Sequence, residues 1–504
     1  MLAKGYCQIA TLIKRSTIAN VTARIACLAC VLAATASQAD TTNDLIMALV
    51  NKGVLTEEEG APLLENQRLL KNQSIIQSKE NAKSTVGITY ADGMILQTVD
   101  QANVLAINGR VQFDARYYMG KDAQTADTFD IRRAYLTVRG KVDQHYDFNV
   151  TADFTQQNSA LDQAYIGINW FNQAKLRLGQ FDMPFGLEHL TSDLFLEFQE
   201  RSFNDYLTPG KERGLMLHGA PTSVVYYGLA VSAGRGKNVN NQDSQVGDLD
   251  VIARISTNLA EVLGNQAAVY HIGVDYSNGD MSPNQARGSA QLTAGGFTAP
   301  TFSTEARGTA FFTPGKFSTA FTDNPVERTR YGLEAAYAIG PFKLQYELFK
   351  HTYSGVNSDS TAFDQDISAW YISAYYMLTG ENLAATYQQN GTWGRIKPKH
   401  DFSPTDFKSS KLGALGFGLR YSALDASDFD VGNGPGEMTN GNSASRAKAW
   451  TAGLRWLLNS HTHLVANYVT THFNQPLTIK NSIGTKVGGT QHENAFSVRA
   501  QMDF

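Results

Sequence analysis

Apolar and polar side chains alternate without a break through the last eleven residues of the chain, NAFSVRAQMDF. The apolar residues share one parity, and polar residues occupy every position between them: Phe496, Val498, Ala500, Met502 and Phe504. A period of two predicts a β-strand with one apolar and one polar face. The chain therefore ends on a strand whose last residue is apolar, although chain termini are usually polar and frayed.

The same alternation recurs from about residue 104 onward, as in LAINGRVQFDARYY (105–118) and HYDFNVTADF (145–154). Each segment has roughly ten residues, the length that a tilted strand needs to cross a membrane. The pattern gives sixteen or seventeen such segments. Bacterial outer-membrane barrels have an even number of strands, so we predict sixteen. ENLAATYQQN (381–390) is accordingly assigned to a loop.

The two faces of these segments favour a membrane barrel over a soluble β-sandwich. The polar face carries full charges, which do not suit the dry interior of a sandwich. The apolar face carries aromatic residues near strand ends, as at Trp170, Phe171, Trp450 and Trp456, which is typical of girdles at lipid interfaces. Open sheet edges would leave backbone groups unpaired in lipid. We therefore predict an all-β transmembrane antiparallel β-barrel of about sixteen strands, with an aqueous lumen.

Closure of the barrel explains the apolar end of the chain. The last strand must pair with the first, so that Phe504 faces outer-membrane lipid at the periplasmic rim. A C-terminal Phe after alternating apolar residues also resembles the signal by which the barrel-assembly machinery recognises its substrates. We therefore expect that machinery to bind the strand that ends at Phe504.

Three parts are predicted before the barrel domain, which spans 104–504. Residues 1–39 indicate a cleaved signal peptide, because cations precede the short apolar stretch IACLACVLAATA, and SQA supplies small residues at the cleavage site. Residues 40–80 predict a short periplasmic helical segment. Gly53 ends its first helix, and Thr56 with Glu59 forms a capping box for the second. We interpret the segment either as a small helical hairpin that packs against an unspecified surface, or as a short self-associating coiled coil. Residues 81–103 are a predicted linker.

Composition and charge exclude several classes of function. All three cysteines, Cys7, Cys27 and Cys30, lie in the predicted signal peptide, so the mature chain would have no disulfide and no thiol nucleophile. The signal carries four cations and no acid, and its removal changes the net charge from −4 to −8. An acidic exported protein is a poor candidate for binding nucleic acid.

Motifs for metal binding or catalysis are weak. His461 and His463 share a strand face, but they lack a third ligand in register. DASDFDVGNGPGE (425–437) has acids and glycines without the spacing of an EF-hand. No serine has an evident His partner, so we predict no enzyme, no metal and no cofactor.

Four stretches follow one another between residues 107 and 202: INGRVQFDARYY, DIRRAYLTVRG, LDQAYIGINW and LRLGQFDMPFGLEHLTSDLFLEFQERS. Together they resemble the phosphate-selective porin O and P family. The resemblance implies a sixteen-stranded homotrimeric porin for small anions such as phosphate, in the outer membrane of a Gram-negative bacterium. It also implies a loop after the fifth strand, here about residues 181–211, that folds inward and narrows the pore.

Arginine suits a pore that selects phosphate, because its planar fork binds oxyanions through two hydrogen bonds. Parity predicts a set of inward cations: Arg110, Arg116, Arg133, Arg139, Lys175, Arg177, Lys343, Arg420, Arg455 and Arg499. Arg116, Arg139, Lys175 and Arg177 are predicted to line the pore. By the resemblance, the constriction residues fall on Arg110, Arg132, Arg133 and Asp162, the last an acid that orients and offsets the cations.

Arg132 and Arg133 are adjacent, so a regular strand cannot point both side chains into the lumen. One of them must lie at a rim or on a local distortion. Parity with Tyr135 and Thr137 favours Arg133 as the lumen residue.

Several positions depart from the family pattern. Asp147 and His189 stand where phosphate-selective members carry lysines. The predicted loop contains four acids: Glu188, Asp193, Glu197 and Glu200. The long segment 277–326, where those members place several arginines, has only Arg287 and Arg307. These replacements weaken the positive field of the pore.

The sequence therefore predicts a passive porin for small anions, and the resemblance implies phosphate-type ions first, with two alternatives left open. One is a general diffusion porin of the same fold with little selectivity. The other is a structural or adhesive barrel whose pore is shut. Outside the Arg110–Arg133 cluster, each inward arginine is more simply interpreted as the partner of a neighbouring acid.

Overall fold

The structure is a computed structural model. It describes residues 39–119, 125–156, 160–234, 236–238, 249–281, 299–315, 317, 326–356, 361–406, 411–434, 436–438, 443–480 and 486–504. The chain divides into two compact units, Met1–Ser84 and Thr85–Phe504. The predicted signal peptide lies outside the described ranges except for Ala39. No helix within these ranges is long and apolar enough to span a membrane.

The first unit contains two helices, α1 (Ala39–Asn51) and α2 (Glu57–Ser84). Gly53, with φ of 70°, follows the end of α1 in the left-handed region that favours glycine. The predicted capping box is confirmed, because the backbone N–H of Thr56 donates to Glu59 Oε2 at 3.0 Å and that of Glu59 donates to Thr56 Oγ1 at 3.3 Å. Several apolar side chains of α2 are exposed, among them Leu63, Leu69 and Leu70.

The second unit is built from strands with a few short helical turns. Its strands are β1 (Val86–Tyr90), β2 (Met94–Thr98), β3 (Val104–Met119), β4 (Thr128–Val142), β5 (Tyr146–Asp153), β6 (Leu161–Phe171), β7 (Ala174–Asp182), β8 (Lys211–Gly219), β9 (Val225–Ser232), β10 (Asp250–Asn258), β11 (Ala268–Met281), β12 (Phe302–Ser303), β13 (Ala310–Phe312), β14 (Val326–Ile339), β15 (Phe342–Val356), β16 (Ala362–Met377), β17 (Ala414–Asp425), β18 (Arg446–Leu457), β19 (Thr462–Lys480) and β20 (Lys486–Asp503). The helical elements are α3 (Leu187–Leu190), α4 (Leu259–Val262) and 3₁₀ turns at Phe203–Leu207, Ala384–Thr386 and Ser427–Phe429.

Sixteen strands, β3–β11 and β14–β20, form a closed antiparallel barrel, as predicted. The last strand β20 pairs with β3, from Asn494 opposite Met119 to Asp503 opposite Arg110. Beyond this register, Phe504 and Gly109 exchange two backbone hydrogen bonds of 3.0 and 2.9 Å. The segment 381–390 lies outside the strands, also as predicted.

The region predicted as a linker, 81–103, is more ordered than expected. It contains the end of α2 and a hairpin in which β1 pairs with β2. Strand β2 then pairs with the start of β3, Met94 lying opposite Ile107. Because β20 ends opposite Arg110, the start of β3 would otherwise have a free edge, and β2 covers it.

Burial follows the predicted parity along the barrel wall. On β3, Val111, Phe113 and Tyr117 are exposed on the outer face, whereas Gln112 and Asp114 are buried on the inner one. The end of the barrel that carries Phe504 has short turns, for example at 143–145, 172–173 and 340–341. Outer-membrane barrels have short turns at the periplasmic end, so we assign this end to the periplasm.

Three connections fold into the lumen. They are the constriction loop (183–210) between β7 and β8, the aromatic loop (299–315 and 317) between β11 and β14, and the periplasmic insert (378–406 and 411–413) between β16 and β17. The largest apolar core lies inside the barrel, where Phe302, Phe311 and Phe312 of the aromatic loop are fully buried. Part of the long segment 277–326 therefore folds inward, which the sequence left undecided.

Candidate functional site

The constriction loop leaves β7 through a sharp turn at Gly186. This residue has φ of 79°, and a Cβ there would lie 2.8 Å from the ring of Phe349, so only glycine fits without displacement. The preceding Phe185 packs edge-on against the same ring, with centroids 5.1 Å apart. These contacts turn the loop away from its own strand and towards the opposite wall.

The opposite wall holds the loop through its backbone. Glu347 of β15 accepts hydrogen bonds from the N–H groups of Leu187 at 2.5 Å and Glu188 at 3.1 Å. Further along, Arg455 of β18 donates to the carbonyl oxygens of Leu194 and Phe195 at 2.9 and 3.2 Å. The loop thus spans the lumen with backbone groups near both ends of this contact paired to the opposite wall, as a buried loop requires.

One carboxylate of this loop is shared by two arginines of the wall. Asp193 Oδ1 lies 2.6 Å from Arg110 Nη1, and its Oδ2 lies 2.6 Å from Arg133 Nε. Arg133 also donates to Gln112 at 2.8 Å, and the guanidinium of Arg110 lies 4.1 Å from the ring centroid of Tyr135. The loop acid therefore occupies the position in which two guanidinium groups would hold the oxygens of a small anion.

A β-bulge resolves the conflict between Arg132 and Arg133. Gln112 pairs with Arg133 and Phe113 pairs with Ile131, so Arg132 has no partner on β3. The bulge reorients the strand locally, and both side chains reach the lumen. Arg132 forms two hydrogen bonds with Glu200 of the constriction loop, at 2.9 and 3.2 Å.

Glu200 is itself shared among three arginines. Besides Arg132, its Oε1 lies 2.7 Å from Arg499 and 3.4 Å from Arg116. Asp114 completes this network through ion pairs with Arg499, at 2.6 Å, and with Arg116. In the described part of the chain, fewer than five carboxylates therefore pair with the five arginines of this cluster: Arg110, Arg116, Arg132, Arg133 and Arg499.

The two loop acids stay ionised. Burial alone would raise the pKa of Asp193, but Arg110 and Arg133 hold that pKa well below its ordinary value. Burial likewise opposes ionisation of Glu200, and Arg132 with Arg499 outweighs it and lowers the pKa. Both carboxylates therefore remain charged at any pH near neutrality.

Two polar cavities meet at the constriction loop. The larger, of about 610 Å³, opens towards Asp503 and Phe504, and the smaller, of about 230 Å³, includes Arg307 of the aromatic loop. Arg133 and Arg201 line both cavities, so they lie between them. We refer to these two residues and their surroundings as the neck.

Both cavities carry slightly more cationic side chains than carboxylates. The larger is lined by Arg110, Arg133, Arg139, Arg201, Lys211 and Arg395, against Asp92, Asp162, Asp182, Asp193 and Asp503. The smaller is lined by Arg132, Arg133, Arg201 and Arg307, against Glu200, Asp205 and Glu305. Side chains of both charges therefore line the two cavities, with a small excess of positive charge. This excess is smaller than the inward arginines of the sequence pattern alone would indicate.

The predicted acid Asp162 lines the larger cavity but does not pair with the arginine cluster. Its carboxylate contacts Lys211 at 3.4 Å and Lys237 at 3.0 Å. The acids that offset the cluster are Asp193 and Glu200 instead. The role expected of Asp162, an acid that orients and offsets the cations, stays a prediction, and the partners observed for it are the two lysines.

The other predicted residues divide between the cavities and the wall. Arg110, Arg139 and His189 line the larger cavity, whereas Asp147, Arg116, Lys175 and Arg177 line neither of the two. Asp147 accepts a hydrogen bond from Asn169. Arg177 lies over the ring of Tyr165 at 4.3 Å. That Arg116, Lys175 and Arg177 line the pore stays a prediction. Arg116 lies 3.4 Å from Glu200 of the constriction loop.

Three cations of the site were missed in the sequence. Arg201 donates to the carbonyl oxygens of Glu188, His189 and Thr191, at 3.1, 3.1 and 2.8 Å. It lies in a loop, where alternation along the sequence cannot predict the direction of a side chain. Lys211 is the first residue of β8, just outside the alternating segment that marks this strand. Arg395 lies in the periplasmic insert.

The periplasmic insert contacts the constriction loop from the periplasmic side. Arg254 of β10 donates to the carbonyl oxygens of Asn390 and Gly391, at 2.8 and 3.2 Å. The Trp393 backbone donates to Thr191 at 3.3 Å, and Arg395 lies 2.6 Å from Asp503. The insert therefore narrows the periplasmic side of the lumen.

Within the described ranges, no group of three or more His, Cys, Asp or Glu side chains could hold a metal ion. The chemistry of the site is that of charged and polar side chains around water-filled space.

Comparison with known proteins agrees with this architecture. The model of the family described as phosphate-selective porin O and P matches residues 105–504. Porin O of Pseudomonas aeruginosa is 25% identical over 404 residues, which cover 75% of this chain and 85% of that protein.

Solved structures with a similar chain trace include an anion-selective porin from Comamonas acidovorans, with a TM-score of 0.48, 12% identity, and coverage of 80% of this chain and 100% of the other. The outer membrane channel DcaP of Acinetobacter baumannii gives a TM-score of 0.44, 13% identity, and coverage of 80% and 98%. Because the family match covers the whole barrel, the chain belongs to the phosphate-selective porin O and P family, whose members are outer-membrane channels and not enzymes.

Proposed function

We propose that this porin conducts small anions passively, phosphate-type ions first, and that Arg110, Arg132 and Arg133 hold them briefly near the neck. The observation that carries this proposal is the sharing of Asp193 between Arg110 and Arg133, which leaves two guanidinium groups with one carboxylate between them. An entering anion competes with Asp193 for the same donors. The family description, phosphate-selective porin, supports the same ion class.

Competition with a loop acid makes the holding weak. A conducting site must bind an ion well enough to admit it and loosely enough to release it. Asp193 and Glu200 remain tethered beside the arginines, so they reoccupy these donors as the anion leaves. The ion then moves down its gradient, and no cofactor is needed.

The near balance of charge in both cavities favours a second candidate, a general diffusion porin of weak selectivity. In that case the acids of the constriction loop offset the arginines enough that anions and cations pass at similar rates. The two candidates differ in whether phosphate inhibits the chloride current.

Several expectations accompany the proposal. The protein acts as a homotrimer, and its outer face contacts outer-membrane lipid. Residues 1–39 are removed as a signal peptide on export from a Gram-negative cytoplasm, and the barrel-assembly machinery recognises the strand that ends at Phe504.

The test is the chloride current of the purified protein in a planar bilayer, titrated with inorganic phosphate. We expect phosphate to inhibit the current of the wild-type channel. Arg133→Gln should raise the half-inhibiting concentration by about tenfold, the effect of losing one hydrogen bond to a charged group. Arg177→Gln is the matched control, an inward arginine that lines neither cavity, and it should leave inhibition unchanged. A wild-type chloride current that phosphate does not inhibit would favour the general diffusion porin.

A further inference from the structure

His189 lies on the wall of the larger cavity, and its backbone carbonyl accepts a hydrogen bond of 3.1 Å from Arg201 of the neck. Its Nδ1 is 2.7 Å from Asp205 Oδ1, and its Nε2 is 3.5 Å from Asp182 Oδ1. Among the described residues, Nε2 is buried and has no hydrogen-bond partner. Each ring nitrogen therefore faces a carboxylate, Nδ1 at hydrogen-bond distance and Nε2 at ion-pair distance.

The charges around His189 come from every element packed against it. Asp182 belongs to β7, and Asp205 belongs to the 3₁₀ turn Phe203–Leu207. Lys211 of β8 lies 3.4 Å from Asp182, and Arg201 of the constriction loop lies 3.7 Å from Asp205. The Thr208 hydroxyl is 3.2 Å from Nδ1. Lys211 also lies 3.4 Å from Asp162 of β6, which in turn lies 3.0 Å from Lys237. With these two included, three cations and three carboxylates balance one another, so the charge of this group is set by His189.

We propose that His189 is a protonation switch that sets the ion preference of the channel. When the ring is protonated, the side of the larger cavity next to the neck gains one positive charge, and anions are favoured. When the ring is neutral, the group is balanced and the preference falls. This inference deepens the proposed function, on which it rests, by naming the group that regulates the site.

The direction of the switch follows from the environment of the ring. Burial alone would lower the pKa of His189, but the carboxylates of Asp182 and Asp205 outweigh burial and raise the pKa above its ordinary value of 6.5. Burial also opposes ionisation of Asp205, but Arg201 and His189 hold its pKa at about 2, so this acid stays charged. The ring is therefore more than half protonated at pH 6.5, and the positive charge is lost as the pH rises through the raised pKa.

The test is the anion-to-cation permeability ratio, taken from zero-current potentials of the full-length protein in a KCl gradient between pH 5.5 and 9. For the wild-type channel we expect the ratio to fall by about tenfold across this range, because one unit charge roughly 6 Å from the ion path in water changes the anion and cation permeabilities by about threefold each, in opposite directions. His189→Lys should keep the ratio high and His189→Gln should keep it low, each with little change over the same range.

His461→Gln is the matched control. This histidine lies near the periplasmic end, 3.1 Å from Asp503, and does not line the larger cavity. The variant should retain the wild-type pH dependence. A pH dependence that survives in His189→Gln, or disappears in His461→Gln, would overturn the assignment.

Failure of the switch and failure of the proposed function can be told apart. A ratio that favours anions equally at every pH leaves the anion porin in place and removes the switch. A ratio that favours cations throughout but still falls with rising pH through His189 removes the anion porin and leaves the switch.

Discussion

At the scale of single residues, the alternation of the sequence predicts which side chains face the lumen wherever a strand is regular. Arg110, Arg133 and Arg499 face the lumen as the alternation predicts, because successive side chains of a strand point to opposite faces. Parity could not show what those side chains contact. Asp193 and Glu200 come from a loop, and only the folded loop places them beside the arginines.

Removing the shared carboxylate should strengthen anion preference. In Asp193→Asn, Arg110 and Arg133 lose their common counter-charge, so the anion-to-cation permeability ratio should rise by about tenfold, since one unit charge at roughly 6 Å in water changes each permeability by about threefold in opposite directions. Reversal potentials in a KCl gradient measure this ratio. Asp147→Asn is the control, because it removes an acid that lines neither cavity, and it should leave the permeability ratio unchanged. An equal rise of the ratio in both variants would contradict this prediction, since only the net charge of the protein would then matter.

At the scale of elements, the sixteen strands and the constriction loop were predictable, but the bulge and the periplasmic insert were not. The bulge at Arg132 depends on the register between β3 and β4, which a single strand pattern does not contain. The insert was correctly assigned to a loop. Its inward path depends on donors from other elements, such as Arg254 of β10.

Shortening the insert should widen the channel. Replacing residues 384–395 with a short Gly-Ser linker removes the contacts of Trp393 with Thr191 and of Arg395 with Asp503. We expect single-channel conductance in KCl to increase, because less of the lumen is occupied on the periplasmic side. Replacing the exposed stretch 399–406 by the same kind of linker is the control. Unchanged conductance after the first replacement would mean that the neck alone limits the current.

At the scale of the whole molecule, closure of the sheet accounts for the apolar end of the chain. Strand β20 pairs with β3 through Asp503, and Phe504 bonds to Gly109, so the last residue belongs to the wall. The first unit, with α1 and α2, folds as a separate compact unit. The coiled-coil interpretation of α2 stays a prediction, since several of its apolar side chains are exposed.

Deleting residues 40–84 should leave the properties of each pore unchanged. The cavities and the neck are formed entirely by the second unit. Single-channel conductance and ion preference of the truncated protein should therefore equal those of the full chain. A changed conductance per pore would show that the helical segment reaches the conduction path.

The central claim, that the arginine cluster gives this mixed-sign channel an anion preference, is tested most directly by one measurement. It is the zero-current potential of the purified wild-type protein in a planar bilayer under a KCl gradient at pH 6.5, where His189 is more than half protonated. The account predicts a potential whose sign shows chloride to be more permeant than potassium. A potential of zero, or one of the opposite sign, would contradict it, because the loop acids would then have cancelled the field of the arginines.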